Sequence, residues 1–107
     1  MERFTEMVME IIKSIPSGKV MSYGEIARVA GKPRGARQVV RILHAMSKKH
    51  KLPWHRVINS RGEIGIQDED LFFTQKSLLE GEGVQFKGKS TIDMEKYRYH
   101  PDCNEYL

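Results

Sequence analysis

Nucleophilic chemistry needs a thiolate, hydroxyl or amine held beside a base. This chain offers one cysteine, Cys103, near its C-terminus and outside any paired-base or His-Arg context. A lone thiol excludes an internal disulfide and fits a reducing compartment. His44, His50, His55 and Cys103 do not fall at a metal-ligand spacing, so neither a metal nor a cofactor is expected. Charge is more informative. Between Gly31 and Gly62 stand nine basic residues (Lys32, Arg34, Arg37, Arg41, Lys48, Lys49, Lys51, Arg56 and Arg61) and no Asp or Glu, leaving nine basic against 14 acidic residues elsewhere. A positive central third in a chain of net charge +4 points to a polyanion, most simply nucleic acid, although a solvated basic surface carries the same pattern. The 107 residues suffice for one domain. Without a membrane-length apolar run or a signal-type start, a soluble intracellular protein is expected.

The elements that must position these residues can be read from periodicity. Phe4, Met7, Val8, Ile11, Ile12 and Ile15 form one helical stripe ended by Pro16-Ser17-Gly18. Ser22 and Glu25 make a capping box that starts a second helix, from about Tyr23 to Ala30, and Gly31-Lys32-Pro33 stops it. A third helix is predicted over about 34–47. Ala36, Val39, Val40, Leu43 and Met46 fall on its buried side; Arg34, Arg37, Arg41 and His44 fall on the other. Two short helices, the second with a basic outer face, match a helix-turn-helix; the spacing equally describes any amphipathic helix with a solvated face. Lys48 to Lys51 reads as a polar basic loop. Val57-Ile58 and Glu63-Ile64 around Asn59-Ser60-Arg61-Gly62 read as a small β-hairpin. Asp68-Glu69-Asp70 opens a C-terminal helix with apolar members Leu71, Phe72, Leu78 and Leu79, closed by Gly81 and Gly83. The predicted architecture is a single mainly α, winged-helix-like domain over 1–107. Its core spans about 4–86, and 87–107 is an extension too short and polar for a second core.

Three separated segments resemble one family. Lys19-Val20-Met21-Ser22-Tyr23-Gly24-Glu25-Ile26-Ala27 is similar to the opening of the helix-turn-helix of O6-alkylguanine-DNA alkyltransferases, and Ala36-Arg37-Gln38-Val39 to the start of their recognition helix. Pro53-Trp54-His55-Arg56-Val57-Ile58-Asn59-Ser60-Arg61-Gly62 resembles their active-site segment, in which Trp54 stands where the enzymes carry the alkyl-accepting cysteine. His55 is retained, and Glu82 looks like the glutamate that serves that histidine. An indole nitrogen is a donor only, so the resemblance implies a non-enzymatic alkyltransferase-like protein that cannot accept an alkyl group by this route.

The resemblance implies roles residue by residue. Tyr23 would crowd the phosphate beside a target nucleotide and help rotate the base outward. Arg37 would enter the stack in its place; taken singly, Tyr23 also reads as a helix filler and Arg37 as one of several phosphate contacts. Arg34, Gln38 and Arg41 would join them on DNA. Tyr23, Pro53, Trp54, His55, Arg56, Val57 and Ser60 would surround the flipped O6-alkylguanine. Trp54 would offer an apolar face worth about 25 cal/mol per Å² buried. Main-chain carbonyls at Trp54 and Val57 would accept from the guanine amine. His55 and Glu82 would orient the loop, and Arg56 would either anchor it or touch DNA. Two departures limit the transfer: Met46 stands near the enzymes' hinge asparagine, and 65–70 replace a Gly-rich stretch over the pocket. The expected partners are duplex DNA bearing O6-alkylguanine and nucleotide excision repair proteins, with no membrane. The protein is expected to act as a monomer in the cytoplasm, associated with the nucleoid, or in the nucleus of a eukaryote. The rival reading is a winged-helix regulator that selects undamaged sequence.

Overall fold

The protein is described here by a computed structural model covering residues 2–101. In chain order it contains α1 (Arg3–Ser14), β1 (Met21–Ser22), α2 (Tyr23–Val29), α3 (Ala36–His50), a 3-10 turn (Trp54–Arg56), β2 (Val57–Ile58), α4 (Glu69–Gly81), β3 (Phe86–Lys87), β4 (Thr91–Ile92) and α5 (Met94–Tyr97). None of the described helices is long and apolar enough to cross a membrane.

The α1 stripe explains the main core. Phe4, Val8, Ile11, Ile12 and Ile15 are buried together with Met21, Ile26, Ala27, Val39, Leu43 and Val57, so α1 closes over α2, α3 and the short strands. The reciprocal Ser22–Glu25 capping box forms, satisfying free N–H groups at the start of α2. Helix α3 begins two residues later than the periodicity implies. Its N-cap is Gly35, leaving Arg34 in the preceding turn, and it runs through Lys48 and Lys49 to His50. The expected basic loop is therefore helix: Lys48 and Lys49 in its last turn suit the negative end of the helix dipole, and Lys51 caps it in the left-handed conformation at φ 52°.

The hairpin lies elsewhere than expected. Asn59 does turn the chain, its side chain accepting from the N–H groups of Arg61 and Glu63. Yet β2 pairs in parallel with β1, Met21 opposite Val57, and Glu63 bridges to Thr91. The antiparallel pair is β3–β4, with Phe86 opposite Ile92. The extension thus contributes to a second apolar cluster, in which Ile92 and Tyr97 join Val20, Ile58, Leu79 and Val84. On α4, Leu71 and Leu78 are exposed, at 48% and 42%, while Gln75 is buried. Cys103 lies outside the described residues.

Candidate functional site

Tyr23 opens α2, Leu43, His44 and Ser47 lie along α3, Trp54 sits in the 3-10 turn, and Ile66 and Leu71 flank the start of α4; together they line a cavity of about 260 Å³. Each wall has a local cause. Tyr23 follows the capping-box serine directly, and burial pushes its phenol above its ordinary value, so it remains a neutral donor. Trp54 is fixed by backbone bonds from its own N–H to the Leu52 carbonyl at 2.8 Å and from the Arg56 N–H to the Pro53 carbonyl at 3.0 Å. Its indole packs partly on the main core and meets the His55 ring edge-on at 6.3 Å. Asp68 caps α4 by accepting from the Leu71 N–H, which sets the far wall.

Beneath the 3-10 turn, one carboxylate joins three segments. Helix α4 ends in a Schellman motif: the Val84 N–H bonds the Leu79 carbonyl and the Gly83 N–H that of Glu80, with Gly83 at φ 94°. Glu82 is held at this end. Its Oε1 accepts from the Gly18 N–H and from Arg56 Nε, both at 3.0 Å. Its Oε2 accepts from Arg56 Nη2 at 2.7 Å and meets His55 Nε2 at 2.8 Å. Gly18, at φ 84°, closes the turn after α1 in a conformation that costs other residues, and so presents that N–H. Burial alone would raise the Glu82 carboxyl, but Arg56, Gly18 and His55 outweigh it and hold it at about 2. An ionised carboxylate only accepts, so His55 Nε2 carries the proton of their bond. Arg56 Nη1 donates to the Ile15 carbonyl at 2.9 Å, which makes this side chain an anchor of the loop to α1. Gln75 completes the support from α4, donating to the His55 and Val57 carbonyls at 3.1 and 2.9 Å.

Of the residues expected around a flipped base, the lining includes Tyr23 and Trp54. Pro53, His55, Arg56, Val57 and Ser60 lie outside it: Val57 is buried in the core, His55 and Arg56 are bound to Glu82, and Ser60 is exposed on the Asn59 turn. The Trp54 carbonyl already accepts from the Val57 N–H and the Val57 carbonyl from Gln75, leaving each at most its second lone pair. Arg34, Arg37, Gln38 and Arg41 are exposed. His44, one helical turn beyond Arg41 on α3, ends this basic face at the cavity. Sequence reasoning missed Leu43, Ser47, Ile66 and Leu71 as lining and Gln75 as a support. His44 had a signal in its place on the basic face, and Ile66 in the segment 65–70 expected over the pocket.

Two short helices, the second with a basic face that ends at a cavity, form the arrangement of a DNA-binding module. The sequence matches the family described as 6-O-methylguanine DNA methyltransferase, DNA binding domain, over residues 3–84. It is 43% identical over 101 residues to the DNA base-flipping protein of Vibrio parahaemolyticus, covering 94% of this chain and 100% of that one. It is 40% identical over 106 residues to alkyltransferase-like protein 1 of Schizosaccharomyces pombe, covering 94% and 98%. The crystal structure of S. pombe Atl1 in complex with damaged DNA containing O6-carboxymethylguanine superposes with a TM-score of 0.83 at 40% identity, over 94% of this chain and 98% of that one. The chain belongs to this DNA methyltransferase DNA-binding family, within its alkyltransferase-like, base-flipping members.

Proposed function

We propose that the protein binds duplex DNA through α3, rotates an O6-alkylguanine out of the stack into the cavity between Tyr23 and Trp54, and holds it without removing the alkyl group. The observation that carries this reading is the meeting of Tyr23 and Trp54, distant in sequence, at one cavity where the basic face of α3 ends. That S. pombe Atl1 crystallises with O6-carboxymethylguanine DNA supports it.

Extrusion costs a few kcal/mol, least for a weakly paired base. O6-alkylation removes the guanine N1 hydrogen and weakens pairing. Stacking on an aromatic face returns about 1–3 kcal/mol, so Trp54 and Tyr23 offset much of the cost while Arg37 fills the gap in the duplex. Retention without transfer is read from Trp54, which takes the place of the enzymes' cysteine and whose indole nitrogen is a donor only; the cavity lining holds no thiol. Glu82 and His55, which would activate such a thiol, here hold the loop. A monomer marking the lesion in this way would hand it to excision repair proteins and shield it from true alkyltransferases.

Titration of matched duplexes with guanine or O6-methylguanine tests the reading, alongside incubation with DNA labelled on the methyl group. Tighter binding of the lesion duplex with no label on the protein is expected. Equal affinity for both duplexes defeats lesion recognition; selection of one undamaged sequence favours a regulator; labelled protein defeats the argument from Trp54.

A further inference from the structure

Residues 85–101 lie beyond the segment that matches the DNA-binding family, yet they grip the strand and cap that carry Tyr23. The Val20 N–H donates to the Tyr97 carbonyl at 2.9 Å and the Tyr99 N–H to the Val20 carbonyl at 2.8 Å, one residue before β1. Lys19 Nζ donates to the Lys96 carbonyl at 3.1 Å. Tyr97 is 6% exposed, and its hydroxyl accepts from the Gln85 N–H, so the segment is anchored at both ends of its path.

Between these anchors, Arg98 Nε lies 3.2 Å from Glu25 Oε2, with side-chain exposures of 37% and 18%. The contact is a charge pair and not an aligned hydrogen bond, since the Nε hydrogen has no partner in line. The other oxygen, Glu25 Oε1, accepts the Ser22 N–H in the capping box, while Ser22 Oγ accepts the Glu25 N–H. Glu25 therefore faces the C-terminal segment with one oxygen and the turn that launches Tyr23 with the other. We infer that Arg98 is a positioning residue for the base pocket: by pairing with Glu25 it fixes the rotamer that completes the cap, and so the direction in which Tyr23 enters the cavity. This inference rests on the proposed flipping of O6-alkylguanine.

Because Arg98 acts through Tyr23, the two should be non-additive. The test measures affinity for an O6-methylguanine duplex and its unmodified match with the full chain, Arg98→Ala, Tyr23→Ala, the double variant and Arg98→Lys. Arg98→Ala is expected to weaken lesion binding about three- to tenfold in the unchanged protein and under twofold in the Tyr23→Ala background. Plain-duplex affinity should be unchanged, and Arg98→Lys should retain most lesion binding. Additive losses, equal losses on both duplexes (a phosphate contact), or an Arg98→Lys variant as weak as Arg98→Ala would overturn the inference. No lesion preference in the unchanged protein instead defeats the proposed function itself, so the two failures separate.

Discussion

Replacing Glu82 by glutamine removes one charge and little volume from the junction of Gly18, His55 and Arg56. The Glu82 carboxyl sits at about 2 against an ordinary 4.5. At about 1.36 kcal/mol per unit, that difference amounts to about 3 kcal/mol of folding free energy. With the side chain only 15% exposed, solvent screens little of it. The folded value is depressed, so the contribution is complete above pH 4.5 and disappears as pH falls from there through about 2. Glu82→Gln should therefore lose about 3 kcal/mol at pH 7, a fall in Tm of about 10–20 °C for a domain of this size. The gap should shrink below pH 4.5 and close only as pH falls through about 2. Urea unfolding at pH 7, 4 and 2.5, followed by circular dichroism, measures this gap. A gap that is absent at pH 7, or that stays constant down to pH 2.5, refutes the reasoning.

Gln75→Leu keeps the volume under the loop but leaves the His55 and Val57 carbonyls without their donor; about 1–3 kcal/mol of stability should be lost, read by the shift in urea midpoint. Asp68→Ala removes the α4 N-cap and should cost about 1 kcal/mol, checked by thermal melting. Trp54→Ala should weaken binding of an O6-methylguanine duplex by about 1–3 kcal/mol while leaving the undamaged duplex nearly unaffected, as measured by fluorescence anisotropy.

Local patterns in the sequence were good guides wherever one helix face decided the outcome. The α1 stripe, the Ser22–Glu25 box and the glycines ending α4 each act within a turn or two of their own position, and each forms. Pairing between distant short strands left no such mark. Nothing in Val57-Ile58 indicates Met21-Ser22 as its parallel partner instead of the residues across the Asn59 turn. Gln75 carries no signal in the sequence, since a polar residue in an amphipathic helix normally faces water and only the two loop carbonyls above it explain its burial. Ile92 and Tyr97 were hidden among charged neighbours, although they complete the second cluster. At the site, motif resemblance supplied Tyr23 and Trp54. The wall at Ile66 falls where 65–70 depart from the enzymes' pattern, and Leu71 directly follows that segment.

Trp54 is the chain's one tryptophan, so its emission reports on this cavity alone. A titration with O6-methylguanine duplex should change that emission to saturation at one duplex per protein, as the extruded base stacks against the indole, whereas the matched guanine duplex should leave it nearly unchanged. Tight lesion binding with the same emission on both duplexes would show that the base does not enter beside Trp54.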